Sequence, residues 1–235
     1  MLRPFVRNQL LLRLTEEDAQ ALVPHLKPVH LSLKQELITP GLPISHIYFP
    51  ESGIVSIVTA AEGSEAIETG LIGREGVTDQ VLETGDSSVL RCIVQLEGSA
   101  LAVEASRYVE WISEHPAALK LLARYLQFTA IQLSFTALSH GSFNVDERLC
   151  RWLLMCFDRS DGEDLPLVHQ FISMMLGVRR SGVTTALHVI EGQGAIRATR
   201  GRIQLRDRAK LEELTAGSYG VPEREYQRLL GPLPN

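Results

Sequence analysis

The chain has 235 residues, of which 45% are apolar and 22% charged, and its formal net charge is −5 at pH 7. This composition favours one large or two small globular domains. The sequence shows neither a long apolar span nor a signal peptide, so we expect a cytoplasmic protein with no membrane association. Cys92, Cys150 and Cys156 form no C-x-x-C pair, which argues against a disulfide framework or a zinc site; we expect buried thiols and no metal.

The N-terminal half is predicted to form a short helix followed by many strands. Thr15 is a suitable N-cap for a helix with acidic residues in its first turn, and Pro24 and Pro28 limit that helix. Many short apolar or alternating segments predict an antiparallel sandwich or barrel. The segments are VHLSL, HIYF, GIVSIV, EAIETGLI, LRCIVQ and ALAV, with turn signals at residues 40–41, 51–53, 62–64 and 97–98.

Residues 116–138 predict one long helix that begins at a proline and contains no later Pro or Gly. It carries two apolar stripes at helical spacing, so a single neighbour cannot cover it. One stripe is expected to pack on the sandwich and the other on a partner chain; a helix buried wholly inside the monomer is the alternative. The stripes are Leu119, Leu122, Leu126, Thr129, Leu133 and Thr136, and Leu121, Tyr125, Phe128 and Phe135.

The C-terminal part predicts a small helical unit with a hairpin. Residues 140–142 are expected to be a hinge, followed by a helix at 145–157, a polar loop at 158–164 and a helix at 169–176 that ends at Gly177. Residues 195–198 and 202–205 alternate around Thr-Arg-Gly as a hairpin does.

A second helix of this unit is predicted to begin near Arg180. Four apolar residues at i, i+3, i+4 and i+7 form its buried stripe and turn the polar residues to the opposite side. Helix, turn, helix and hairpin together predict a winged helix-turn-helix. The buried residues are Val183, Ala186, Leu187 and Ile190, and the polar residues are Arg180, Ser181, Thr184, Thr185 and His188.

Positive charge is concentrated in this unit. Residues 165–210 contain eight basic and two acidic residues, although the whole chain is acidic. Clustered positive charge favours phosphate binding through counterion release, and acidity elsewhere discourages indiscriminate adhesion. A merely solvated basic face is the alternative.

The helix-turn-helix, the wing and the upstream pattern resemble the bacterial cyclic-AMP receptor protein and fumarate-nitrate reduction regulator (Crp/Fnr) family of transcription regulators. The resemblance implies an α+β fold with an N-terminal jelly-roll, cyclic-nucleotide-binding-like sensor domain at 1–115. It further implies a dimerisation helix at 116–140 and a winged helix-turn-helix domain at 141–235. The expected partners are double-stranded DNA, a second copy of the chain and RNA polymerase.

A cyclic nucleotide is the first effector to consider. Family members that bind one carry a Gly-Glu turn for the ribose and an Arg-Ser pair for the cyclic phosphate. Residues 73–76 read Gly-Arg-Glu-Gly, so Arg74 stands at the position of the acid, and the Arg-Ser pair falls on Leu90 and Arg91. A shift of one residue in a strand turns Arg91 to the opposite face. Cyclic-nucleotide binding is therefore disfavoured, with Arg74 and Arg91 as weak candidates.

Other cofactors find no support in the sequence. An iron–sulfur sensor needs N-terminal cysteines, and none precedes Cys92. Scattered histidines are weak candidates for haem ligands. We predict no cofactor, and the effector stays unknown. The histidines are His25, His30, His46 and His115.

In the family, the recognition helix often begins with Arg-Glu and has a second Arg one turn later. Here Arg180 keeps the first position, where it can read guanine, and Ser181, Thr184, Thr185 and His188 follow on the same polar side. Arg179 and Arg200 are better placed for phosphate contacts. A homodimer would place the half-sites about 10 bp apart.

Two other classes of function were considered. An enzyme lacks support, because no nucleophile elbow, zinc-protease helix, phosphate-binding loop or deaminase signature occurs, and no catalytic residue is predicted. A sensor or scaffold module without DNA binding is the second alternative. Binding to a palindromic promoter fragment at low salt would separate these functions from a transcription regulator.

Overall fold

The computed structural model describes residues 6–61, 66–78, 81–167 and 169–231. It confirms the predicted α+β class: an antiparallel β domain, a long helix and a helix-turn-helix with a small sheet. In these ranges, no helix is long and apolar enough to cross a bilayer. The helices are α1 (Glu16–Leu22), α2 (Ala105–Glu114), α3 (Pro116–Ser142), α4 (Val145–Arg159), α5 (His169–Leu176), α6 (Arg180–Gly192), α7 (Arg208–Glu213) and α8 (Val221–Leu230). The strands are β1 (Lys27–Leu31), β2 (Glu36–Ile38), β3 (His46–Thr59), β4 (Ile67–Ile72), β5 (Arg91–Glu104), β6 (Asp164–Leu165), β7 (Ile196–Thr199) and β8 (Arg202–Leu205).

The β domain is built around two long strands. The sheet has the order β1-β5-β3-β4, with β2 also paired to β5, and its pairs are antiparallel. The turns predicted at residues 51–53 and 97–98 are wrong, because HIYF and GIVSIV join in β3 while LRCIVQ and ALAV join in β5.

Those two turn signals mark β-bulges instead. The register of β3 against β5 shifts on both sides of Ser52, and Gly53 has a φ of +80°. A Cβ atom on Gly98 would lie 2.3 Å from the backbone oxygen of Ser52. Glycine is needed here because two bulged strands approach closely, and the bulge bends them together.

The N-terminal helix has the predicted cap. The Thr15 hydroxyl accepts a hydrogen bond from the backbone N–H of Asp18 at 3.1 Å, so α1 begins where the sequence indicated. The indole of Trp111 on α2 donates to the carbonyl oxygen of Asp18 at 3.0 Å. The two helices that flank the β domain are thereby joined.

Helix α3 packs one face on the β domain and leaves the other open. Leu122, Tyr125, Phe128 and Gln132 are buried, and the side-chain oxygen of Gln132 accepts from the backbone N–H of Leu71 on β4 at 2.7 Å. The predicted stripe that combined Leu122 with exposed leucines is therefore divided between the two faces.

The hinge predicted at residues 140–142 is helical. Helix α3 continues to Ser142, and only Phe143 and Asn144 separate it from α4. Asn144 caps α4 by accepting from the backbone N–H groups of Asp146 and Glu147, while Glu147 accepts from the N–H of Asn144. A reciprocal capping box therefore begins α4 immediately after the long helix.

The predicted domain limits are 1–115, 116–140 and 141–235, which place α8 in the last domain. In the structure α8 packs on the β domain instead. Its Tyr226 belongs to the core of the β domain and meets Phe128 of α3 edge to face, with ring centroids 4.9 Å apart. The second core combines the helix-turn-helix with Ile54 and Leu71 of the sheet. The C-terminal helix thus returns to the β domain, and the two units share a packed junction.

Candidate DNA-binding surface

The helix-turn-helix forms as predicted from its apolar spacing. Helices α5 and α6 have the predicted N-termini, and Gly177 in the turn between them has a φ of +61°. The four predicted stripe residues of α6 are buried at 2% exposure or less. Burial of this stripe fixes which side of α6 faces solvent. The residues are Val183, Ala186, Leu187 and Ile190.

The opposite side of α6 is accessible. Arg180, Ser181, Thr185 and His188 are exposed, and Thr184 is half-buried. The Thr184 hydroxyl donates to the carbonyl of Arg180 at 3.1 Å, and the Thr185 hydroxyl donates to that of Ser181 at 3.1 Å. The exposed Thr185 can still accept a hydrogen bond through its hydroxyl oxygen and offers a methyl group to a base edge.

The wing is a tight hairpin held against α6. Strands β7 and β8 pair from Ile196↔Leu205 to Thr199↔Arg202, and Gly201 in the turn has a φ of +75°. A carboxylate oxygen of Glu191 accepts from the backbone N–H of Ala198 at 3.0 Å. This bond fixes the hairpin relative to the recognition helix, a role that the sequence pattern did not predict.

The basic residues of the unit divide into two groups. Three of them are engaged by acids, since Arg202 pairs with Asp164, Arg208 with Asp158 and Lys210 with Glu213. The other five are exposed and form no ion pair among the described residues, so their charge is available to phosphates. These five are Arg179, Arg180, Arg197, Arg200 and Arg206.

Comparison with known proteins agrees with this geometry. Residues 147–214 match the family model of the Crp-like helix-turn-helix domain. This part of the chain is a Crp-like helix-turn-helix domain. The match begins at Glu147 in the first turn of α4, continues through α7 and stops before α8. The chain has no detectable sequence match among curated proteins.

Solved structures share the fold of most of the chain. FixK2 of Bradyrhizobium japonicum has a TM-score of 0.68 at 17% identity, over 80% of this chain and 96% of its own. The global regulator CLP of Xanthomonas campestris has a TM-score of 0.65 at 15% identity, over 82% and 99%. A CooA variant of Carboxydothermus hydrogenoformans has 0.60 at 18%, over 90% and 96%. At such low identity, the likeness shows the fold alone.

The two candidate effector arginines face different acids. Arg74 donates to Asp161 at 2.6 Å, beside a cleft of about 250 Å³ at the end of α4. Arg91 lies 3.4 Å from Glu36 at the surface of the sheet, where both side chains are exposed. Each arginine thus has an acidic neighbour of its own.

The turn at residues 73–76 instead contacts the DNA-binding unit. Glu75 and Arg159 form a buried ion pair at 2.7 Å, and Arg7 joins Arg74 in binding Asp161. Hydrogen bonds from Arg7 and Arg74 lower the pKa of Asp161 to about 2. The loop that was predicted only to lead to the DNA-binding unit is thus clamped to the β domain.

Arg148 connects the end of the long helix to the helix-turn-helix. Its guanidinium donates to Nδ1 of His140 at 2.8 Å and also to the carbonyl oxygen of Leu176. Burial, followed by the charge of Arg148, lowers the pKa of His140 to about 4, so this imidazole is neutral and can accept the bond. Helices α3, α4 and α5 therefore meet at one side chain.

A buried polar network joins the sheet to α4. The Trp152 indole donates to Glu68 at 2.6 Å, and the Ser56 hydroxyl lies 2.6 Å from Glu68 and 2.7 Å from Gln95. The amide of Gln95 donates to the sulfur of Cys156 at 3.3 Å. All three cysteines are buried thiols, as expected. The network was not predicted, because polar residues in a strand ordinarily mark the face of the strand that is exposed to solvent.

Proposed function

We propose that two copies of this chain bind one two-fold symmetric DNA site, with α6 in the major groove and the β7–β8 hairpin against the backbone. The observation that carries this proposal is the exposed polar side of α6 next to five arginines that have no acidic partner in the part of the chain that the structure describes. Arg180 would read guanine, and Arg179 and Arg200 would hold phosphates.

The open face of α3 supports the dimer. Leu119 and Leu126 are 43% and 48% exposed, and they continue in a heptad spacing with small apolar residues between them. A stripe at this spacing packs on a copy of itself, as in a coiled coil. Phe128, which meets α8, lies on the opposite side of the helix, so α8 leaves the stripe free. The stripe is Leu119, Ala123, Leu126, Ala130, Leu133 and Ala137.

We further propose that the effector, where one acts, is not a cyclic nucleotide. The separate acidic partners of Arg74 and Arg91 support this. The site of action would be the cytoplasm, where the DNA lies, and contact with RNA polymerase would turn DNA binding into control of transcription.

Selection from a library of random DNA duplexes by the full-length chain tests the function. The expected result is enrichment of a palindrome with half-sites about 10 bp apart, and binding that weakens steeply with salt. Enrichment of a single asymmetric half-site would refute the dimeric reader. No enrichment at low salt would refute DNA reading and favour the sensor or scaffold alternative.

A further inference from the structure

Helix α8 bridges the DNA-binding unit and the β domain. It follows α7 in the chain, yet its Tyr226 is buried against Phe128 of α3. The Tyr226 hydroxyl donates to the carbonyl oxygen of Glu75 at 2.9 Å, in the same turn that binds Arg159. The chain thus leaves the β domain through α3 and returns to it through α8.

A second contact holds the end of this helix. The guanidinium of Arg13 donates to the carbonyl oxygens of Leu230 at 3.2 Å and Gly231 at 2.7 Å, and it lies 5.6 Å from the centre of the Tyr226 ring. Carbonyl groups at the end of a helix lack partners within the helix and carry partial negative charge, so a cation placed there stabilises the end. Arg13 belongs to the β domain, so this contact fastens one unit to the other.

Both ends of the DNA-binding unit are therefore attached. At its beginning, Phe143 and Asn144 connect it to α3, and Arg148 joins α3 to α5. At its other end, Tyr219 donates to Asp158 at 2.6 Å, and α8 then docks on the β domain. A unit attached at one end can swing about that end, whereas attachment at both ends restricts its rotation.

We propose that Arg13 and Tyr226 are positioning residues for DNA binding, which fix the orientation of the recognition helix through α8. The proposal rests on the proposed dimeric function. A dimer engages two half-sites together, and restricted units lose less freedom when the second half-site binds. Docked α8 is thus the form that binds the palindrome well, and release of α8 lowers that affinity without altering the DNA-reading residues.

Two variants test this role, one with substitutions in the full-length chain and one with a shortened chain. Arg13→Ala with Tyr226→Phe removes the polar contacts and keeps the aromatic ring in the core. A chain ending at Gly220 removes α8 entirely. Arg228→Ala is the matched control, because its guanidinium is exposed and bonds only Glu225 of the same helix among the described residues.

Affinity is measured for the selected palindrome and for the same duplex with one half-site scrambled. We expect the double variant to bind the palindrome about tenfold more weakly and the scrambled duplex within twofold of the unmodified chain, with the control unchanged. Circular dichroism and mass in solution establish that fold and dimer persist. If the shortened chain does not fold, the double variant decides.

Equal affinity of the double variant and the unmodified chain for the palindrome would overturn the proposal, as would tighter binding. An equal loss on both duplexes would also overturn it, because the DNA-binding unit itself would then be damaged. If the unmodified chain selects no palindrome, the proposed function fails first, so the two failures are distinct.

Discussion

Glu68 offers a test of the junction between the sheet and α4. The residue is 5% exposed, and burial raises the pKa of its carboxyl to about 8, although Ser56, Trp152 and the charges of Arg159 and Arg151 act in the opposite direction. The short contacts of the Ser56 hydroxyl to both Glu68 and Gln95 agree with a protonated carboxyl. One hydroxyl proton cannot serve two acceptors, so we expect a protonated Glu68 to donate to Ser56, which then donates to Gln95.

The sign of the effect on stability follows from the raised pKa. Between its ordinary value of 4.5 and about 8, the folded chain keeps a proton on Glu68 that the unfolded chain releases. The free energy of unfolding therefore has a contribution from Glu68 that is complete below pH 4.5 and is lost as the pH rises to 8. The loss approaches about 1.4 kcal/mol for each pH unit in this range.

The Glu68→Gln variant removes this titration. Glutamine is neutral at every pH, can accept from Trp152 through its oxygen and can donate to Ser56 through its amide. The free energy of unfolding of the unmodified chain, measured relative to that of the variant, should therefore fall by about 3 kcal/mol between pH 5 and 8. Urea denaturation at each pH unit measures this difference.

Glu114→Gln is the matched control, because Glu114 is exposed on α2. Its difference from the unmodified chain should not follow the same pH course. A difference between the unmodified chain and Glu68→Gln that stays constant from pH 5 to 8 would refute a protonated Glu68 in the fold.

Three further variants test the interfaces and the sheet. Leu126→Glu should shift the dimer to monomer in analytical ultracentrifugation, since each buried leucine contributes about 1.5–3 kcal/mol. Arg124→Ala on the same helix should leave the dimer intact. A dimer that persists in Leu126→Glu would exclude this stripe as the dimer interface. Arg180→Ala should weaken binding to the selected palindrome by about 1–3 kcal/mol and relax the preference at one base pair, whereas a uniform loss across sequences would indicate a phosphate contact. Gly98→Ala should lower the free energy of unfolding by about 1–3 kcal/mol, because the new Cβ meets the facing backbone. Gly141→Ala has open space around its Cβ and should raise the free energy of unfolding by about 0.5–1 kcal/mol. Equal effects of the two variants in urea denaturation would contradict the bulge.

The DNA-binding unit was predictable because its signals are local. Val183, Ala186, Leu187 and Ile190 alone define the buried stripe, and that stripe determines where Arg180 and Thr185 face. The N-cap at Thr15 depends on a neighbour three residues away. Such features need only the geometry of one helix, so the sequence carries them completely.

Features that depend on distant partners were missed or misplaced. Gly53 and Gly98 looked like turns, and only the pairing of β3 with β5 makes them bulges. No role for Glu68 was predicted from the sequence, and it is Trp152 from another unit that bonds to its buried carboxyl. Arg74 was a weak candidate for an effector contact, and its partner Asp161 lies far along the chain.

By itself, the sequence determined the order of the elements, the apolar side of each helix and the concentration of positive charge near α6. Only the tertiary structure decided which arginines stay without acidic partners, which face of α3 remains open and where α8 docks. The physical reason is range. Helix periodicity and capping act within a few residues, whereas burial, ion pairing and strand register are set by residues that only the folded chain brings together.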